Sequence, residues 1–257
     1  MTETVEVPRA LVQVAQRARR VVVLTGAGMS AESGLSTFRN PENGLWQRFS
    51  AQHLASAAAW DGDPALVWAW YVWRFECVGE VQPNAGHDAI ARWSERTDLA
   101  VVTQNVDNLH ERAGTRSVVH LHGSISAFRC SACERPYAET PVLPDEPVER
   151  LAPPRCATCA GLIRPGVVWF GETLPDRAWV DAVAKVSEAD LVLVVGTSGI
   201  VYPAAGLPAV ARSEGAVVVE INPQATDISD MADLSWRETA ARALPALVDA
   251  VHDGECP

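Results

Sequence analysis

A chain of 257 residues can bury one large hydrophobic core or two modest ones. Its 21% charged residues and lack of any apolar run near the roughly 18–20 residues of a membrane span point to a soluble globular protein. A formal net charge of −11 argues against a general nucleic-acid binder and suits a basic partner, such as a lysine-bearing protein segment.

The opening "MTETVEVPRALVQVAQRARR" reads as an amphipathic helix with acids first and no apolar stretch of the signal-peptide kind, so a cytoplasmic, reducing location is expected. "VVVLTGAG" (21–28) reads as a buried strand running into a glycine turn. The stretch 41–81 is helical in pattern and rich in aromatics. "PNAGHDAIARW" (83–93) starts another helix, with Pro and Asn at its entrance. "LAVVTQNVD" (99–107), the short "SVVHLHGS" (117–124), "ADLVLVVGTS" (189–198) and "AVVVEIN" (216–222) read as further strands. Unbroken Val and Leu runs separated by helices predict a parallel sheet covered on both faces. In such sheets ligands lie at the carboxyl ends of the strands. The stretch 126–164 differs: it is rich in proline, looks loop-rich, and reads as a small insertion held by metal.

Four of the six cysteines form CxxC pairs, Cys130 with Cys133 and Cys156 with Cys159, separated by 22 residues. Two such knuckles predict tetrahedral thiolate zinc, structural because four thiolates leave no open position. Cys77 and Cys256 stand alone. "TGAGMSAESG" (25–34) can bring backbone N–H groups against a phosphate, although its spacing departs from GxGxxG and a simple strand-to-helix turn is the plainer reading. Gln104, Asn105 and Asp107 fall at a strand's carboxyl end. His120 and His122 are two apart and would share a strand face, where a histidine suits acid–base work. Neither GxSxG nor HExxH occurs. In "LVWAWYVWRFECVGE" (66–80), Trp68, Tyr71, Val72 and Phe75 form a helix face that packs a core. Tyr71 and Arg74 are neighbours on that helix, and periodicity alone reads Arg74 as snorkelling.

In order, "GAGMSAESGLSTFR", "TQNVDNLHERAG", "HGS", the four cysteines, "RPGVVWFGE", "GTSGIVYPAAGLP" and "INPQ" resemble the sirtuin family of NAD-dependent protein-lysine deacylases, from about residue 21 to 245. The resemblance implies an α/β fold: a Rossmann-like parallel-sheet domain (1–40, 82–125 and 167–257) and a smaller domain of a helical module (41–81) and a zinc module (126–166). It places the pyrophosphate and nicotinamide side of NAD at Gly26, Ala27, Gly28, Glu32, Thr37, Phe38, Arg39 and Trp46, and the nicotinamide pocket and ribose at Gln104, Asn105 and Asp107. The adenosine half falls at Gly196, Thr197, Ser198, Asn222, Pro223 and Gln224, with Ala240 in a loop closing on adenine. His122 is implied as general base on a ribose hydroxyl, with Asn105 beside it in the catalytic set, and NAD is consumed, yielding O-acyl-ADP-ribose. Val167, Val168, Trp169, Phe170, Gly171 and Glu172 would pair their backbone with the substrate peptide. "YVWR" matches the Tyr-x-x-Arg pair of the subgroup that removes succinyl and malonyl groups, and Ala51 falls where that subgroup keeps a small residue. On that resemblance Tyr71 and Arg74 bind the acyl carboxylate. Acylated protein lysines are the implied partners, without nucleic acid or membrane. A protein mono-ADP-ribosyltransferase and a plain deacetylase are the alternatives, and a non-catalytic NAD sensor is disfavoured by the intact His122 and Asn105.

Overall fold

Six strands form one parallel sheet among the residues that the computed structural model describes, 5–35, 44–142 and 144–253. They are β1 (Arg20–Thr25), β2 (Asp98–Thr103), β3 (Val118–His120), β7 (Leu191–Val195), β8 (Val217–Ile221) and β9 (Leu234–Trp236), ordered β3-β2-β1-β7-β8-β9. A second sheet, in the order β5-β4-β6, joins β4 (Gly123–Cys130), β5 (Pro136–Tyr137) and β6 (Ile163–Val167) with antiparallel pairing. The large sheet grows outward from β1 to β3, then returns to the other side of β1 with β7. That reversal places a crevice at the carboxyl ends of β1, β2 and β7.

The unbroken apolar runs have a direct cause: successive residues of one strand enter different cores. Val21 and Val23 pack with helices Arg9–Arg17, Ala85–Ser94 and Ala240–Asp253, whereas Val22 and Leu24 pack with helices Asp176–Glu188 and Leu207–Ser213. Fully burying each such side chain is worth about 1.5–3 kcal/mol, which fixes the sheet's register on both faces.

A third core joins the aromatic helix Pro64–Glu80 to the cysteine-bearing sheet, with Phe128 5.6 Å from Trp68 and 5.7 Å from Phe75 between ring centroids. Asp63 caps that helix by accepting the Leu66 amide at 3.0 Å, and Pro64 occupies its first turn. Helix Ala85–Ser94 starts at the expected Asn84, whose side chain accepts the Gly86 amide at 3.0 Å.

The cysteine segment is mainly loop, as expected: within 126–164 its strands are the end of β4, the two-residue β5 and the start of β6, and the β4–β6 pairing shifts register between Ser124 and Phe128. The structure differs from the sequence reading elsewhere. Strand β9 and helix Ala240–Asp253 are elements that the sequence reading did not assign, and Ala240, expected in a loop, opens that helix. Thr37, Phe38, Arg39 and Cys256 lie outside the described residues. No helix among the described residues is long and apolar enough to cross a membrane.

Candidate active site and metal centre

A connected polar cluster sits where β1 and β2 end. Asn105 donates its carboxamide to the Gly26 carbonyl at 3.0 Å and to the Ser30 hydroxyl at 3.1 Å. Ser30 donates on to Asp107 at 3.0 Å, and Asp107 also accepts the Leu109 amide at 3.2 Å. Asn105, Asp107 and Ser30 are all buried, so their geometry is set by these bonds rather than by water. Burial raises the Asp107 carboxyl above its ordinary value, opposed by its amide and hydroxyl donors. The Asn105 carboxamide oxygen takes no part in these bonds, which suits it to accept from a ligand. Beneath lie Thr25 and Thr103, bonded to each other at 2.8 Å, with His110 Nε2 at 3.2 Å from Thr25. Ser30, Thr103 and His110 stand in the quoted motifs, but nothing in their spacing marks them as one network.

The two histidines at the edge of this cluster differ in chemistry. His122 donates from Nδ1 to the Gln104 carbonyl at 2.9 Å, because a carbonyl can only accept. Its neutral tautomer therefore carries the lone pair on Nε2. Burial lowers its pKa below the ordinary value, opposed by the Gln104 carbonyl, so it is neutral and basic near pH 7. His120 bonds through both nitrogens, to the Asn105 carbonyl at 3.1 Å and to the Glu111 carboxylate at 2.6 Å. Burial alone would lower His120, but the Glu111 hydrogen bond and charge outweigh it and raise it. With both nitrogens donating, His120 is an ion-paired cation. Gly123 explains the turn after His122: its φ is +72°, and an added Cβ would lie 2.1 Å from the Gly166 carbonyl oxygen. The His122 carbonyl also accepts the Val168 amide at 2.9 Å, tying the histidine to segment 167–172.

The glycine turn brings two loops into contact. The amides of Gly26 and Gly28 donate to the carbonyls of Val195 and Gly196, at 3.1 and 2.8 Å. A Cβ on Gly28 would meet Gly196 Cα at 2.7 Å. These two glycines thus serve close packing between β1 and β7 loops, and their own N–H groups are committed within the chain. Gln104 donates to the Thr197 hydroxyl at 3.0 Å and Asn222 to the Thr197 carbonyl at 2.9 Å, so Gly196, Thr197, Ser198 and Asn222 are held together along one rim. Glu32 caps helix Ala240–Asp253, accepting from Thr239 at 3.1 Å and from the Ala241 amide at 2.9 Å. The structure corrects the loop reading of Ala240: it is the first residue of that helix, its side chain is in the core, and a Cβ on Gly86 would meet its carbonyl at 2.8 Å. Trp46 is also in a core, 6.0 Å from Trp73 between ring centroids.

Glu220, 1% exposed on β8, anchors the loop that carries Pro223 and Gln224. It accepts from Thr226, from Ser229 at 2.7 Å, from Ser235 at 3.0 Å and from Arg237 at 2.5 Å, and Arg237 also reaches the Gln224 carbonyl at 3.1 Å. Burial raises its pKa, but these donors prevail and lower it. A carboxylate depressed in this way contributes stability that is full above its unfolded value and is lost as pH falls through the folded one. Glu220→Gln is expected to cost about 2 kcal/mol, the loss of charged-group hydrogen bonds with Arg237 left partly in water, and to flatten the acid side of the stability–pH curve. Denaturant titration between neutral and acid pH reads both effects; an unchanged acid limb would count against this role.

Segment 167–172 faces the aromatic helix. The Phe170 amide donates to the Ala55 carbonyl at 2.8 Å, the Trp169 amide to Glu172 at 2.8 Å, and Ser56 and Phe170 form an isolated parallel bridge. The segment is thus partly paired within the chain and ends in a turn, where the Glu172 amide donates to the Trp169 carbonyl at 3.0 Å and Gly171 has φ +92°. Trp169 donates its indole N–H to the Tyr71 hydroxyl at 3.1 Å. Tyr71 is 4% exposed, and Arg74 Cζ lies 5.0 Å from the Trp70 ring centroid. Ala51, half-buried, borders the same core.

The four paired cysteines converge, with all Sγ atoms within 4.8 Å of one another. Cys130 and Cys159 sulfurs are 3.4 Å apart, Cys133 and Cys156 sulfurs 3.8 Å. A zinc with four thiolates at about 2.3 Å needs sulfurs about 3.8 Å apart. Knuckle amides reach the sulfurs, Ala132 to Cys130 and Thr158 to Cys156, both at 3.4 Å. Those from Thr158 and Cys159 lower Cys156, favouring its thiolate, whereas Cys159, despite the Gly161 amide, is raised by the neighbouring sulfurs of Cys130 and Cys133. The donor set and its spacing fit one structural zinc.

The Sir2 family model matches residues 26–203. An NAD-dependent protein deacylase 2 of Corynebacterium efficiens is 55% identical over 240 residues, 92% of this chain and 94% of the relative. An NAD-dependent protein deacylase of Mycobacterium tuberculosis is 52% identical over 231 residues, 90% of this chain and 97% of the relative. Among solved structures, a Sir2 homolog–NAD complex is 40% identical with a TM-score of 0.89, covering 99% of this chain and 97% of that one. A Sir2–p53 peptide–NAD+ complex is 30% identical with a TM-score of 0.77, covering 96% and 97%.

Proposed function

The chain belongs to the Sir2 family, and from that premise we propose that it is a cytoplasmic NAD-dependent protein-lysine deacylase that removes succinyl and malonyl groups faster than acetyl groups. The observation that carries the activity is the pinned tautomer of His122, whose Nδ1 is held by the Gln104 carbonyl and whose Nε2 is left basic beside the Asn105–Ser30–Asp107 cluster.

NAD, when bound, supplies an electrophilic ribose carbon with nicotinamide as leaving group. Residues 1–40, 82–125 and 167–257 form the domain that holds it, and the modules 41–81 and 126–166 form the small domain. The acyl-lysine enters between them along segment 167–172. Asn105 offers its free carboxamide oxygen to the nicotinamide side, with Gln104 and Asp107 shaping the wall. Gly196, Thr197, Ser198, Asn222, Pro223 and Gln224 line the adenosine side. His122 Nε2 takes the proton of a ribose hydroxyl, and the imidazolium is stabilised by the Gln104 carbonyl behind it.

The acyl preference rests on Tyr71 and Arg74, one turn apart beside Trp169, with the small Ala51 nearby. A succinyl or malonyl carboxylate takes charge-assisted bonds from Arg74 and one from the Tyr71 hydroxyl. Losing one partner of a desolvated charge pair costs about 2–5 kcal/mol, so Arg74→Met is expected to lower desuccinylation by about thirtyfold or more. Tyr71→Phe lowers it more mildly. The test is the catalytic efficiency on acetyl-, malonyl- and succinyl-lysine versions of one peptide, with and without NAD. Equal loss on acetyl and succinyl substrates in Arg74→Met would reduce Arg74 to a packing role and leave a plain deacetylase. Label from NAD retained on protein would point instead to ADP-ribosyl transfer.

A further inference from the structure

The Trp169 ring is 2% exposed and fixed from several directions. The Arg164 guanidinium lies 3.3 Å from its centroid, and Trp60 lies at 5.3 Å. Arg164, 7% exposed, is itself held by Glu172 through two bonds of 2.6 and 2.9 Å and by the Val167 carbonyl at 3.1 Å. Glu172 closes the loop on itself by accepting the Trp169 amide at 2.8 Å. A ring held this way has one direction for its indole N–H, and it points at the Tyr71 hydroxyl oxygen, 3.1 Å away.

An indole N–H donates and never accepts. The Tyr71 oxygen is therefore the acceptor of this bond, and its own O–H must be given to another group. Burial pushes the phenol far above its usual range, opposed by the nearby Arg74 charge, so the hydroxyl keeps its proton throughout the neutral range. Polarisation along the chain strengthens such a donor.

We propose that Trp169 is a specificity-determining positioning residue, whose indole N–H, fixed by the Arg164–Glu172 pair, turns the Tyr71 hydroxyl into a donor aimed at the carboxylate of an acidic acyl group. This rests on the acidic-acyl reading of Tyr71 and Arg74 and adds a side-chain role for Trp169, which the sequence reading gave only a backbone one.

The test is a double-mutant cycle read as the ratio of catalytic efficiencies on succinyl- and acetyl-lysine versions of one peptide. Trp169→Phe, which keeps an aromatic ring and removes the N–H, is expected to lower the ratio about three- to tenfold. In the Tyr71→Phe background the same change should lower the ratio no further, since no oxygen remains to orient. If Trp169→Phe does not fold, a benzothiophene analogue of tryptophan, with sulfur in place of the N–H at nearly equal volume, makes the same comparison. A ratio unaffected by losing the N–H, or lowered equally with and without the Tyr71 hydroxyl, overturns this inference alone. A wild-type enzyme without acidic-acyl preference, or one whose ratio ignores Tyr71→Phe, overturns the acidic-acyl reading and this inference with it.

Discussion

His122→Ala is expected to lower NAD-dependent deacylation by about 10²–10⁴-fold, the usual contribution of a positioned general base, with fold and metal content unchanged. The geometry makes the choice between the two histidines. His122 has one nitrogen tied to the Gln104 carbonyl and the other available as a lone pair. His120 donates from both nitrogens, to Asn105 and Glu111, and a cation so held has no lone pair to offer. His120→Ala should therefore cost stability more than chemistry. The pH dependence separates them further. Burial depresses His122, so activity should persist below the ordinary histidine value and fall only as pH drops through the lowered one. Glu111 raises His120, so its ion pair contributes stability that is full below the ordinary value and fades as pH rises through the higher folded one. Kinetics of the two variants with matched denaturation curves decide the matter. A His120→Ala enzyme more impaired in turnover than His122→Ala would reverse the assignment.

The same contrast shows how far sequence carries. The strand face expected to carry both histidines does not form, because β3 ends at His120 and His122 stands in the turn before β4, and which of them holds a free lone pair depends on Glu111, nine residues before His120, and on the Gln104 carbonyl. Neither partner is visible in spacing. The strands β1, β2, β7 and β8 were legible because both faces of the sheet are covered, which demands unbroken Val and Leu. β9 was not, since Leu234–Trp236 is three residues with a serine in the middle. Helix Ala240–Asp253 was obscured by Pro245, which sits inside it and would ordinarily mark an end. The cysteine pairing was legible from ligand spacing alone. The Arg164–Glu172 pair was not, because its two members are eight apart across a turn and only the folded loop brings them together. The glycine turn was legible as a turn, yet the amides of Gly26 and Gly28 bond the β7 loop, a use that sequence does not reveal.

Cys156→Ser should remove zinc altogether and unfold the cysteine sheet, with loss of all activity. Four thiolates at tetrahedral spacing bind zinc with an apparent free energy of about 10–16 kcal/mol, and in a small module that binding energy is folding energy. It is comparable with the whole stability of a typical domain, about 5–15 kcal/mol, so no rearrangement of the remaining contacts offsets its loss. The damage should spread along a defined route. Cys130 and Cys156 belong to the core that contains Trp68, Phe128 and Tyr71, so the helix bearing Tyr71 and Arg74 loses its packing partner. β6 pairs with β4 through Val167 and Gly123, and Gly123 follows His122 directly, so the base loses its anchor too. The six-stranded sheet keeps its own two cores and should remain folded. Limited proteolysis after chelation is therefore expected to cut first between 126 and 164 and to spare the sheet. Cys77, outside the ligand cluster, supplies the control: Cys77→Ser should retain one zinc per chain. Metal analysis and activity measured on the same preparations read the outcome directly. Fully active Cys156→Ser protein, or active wild-type protein holding no zinc, would show that the thiolates stand close for another reason.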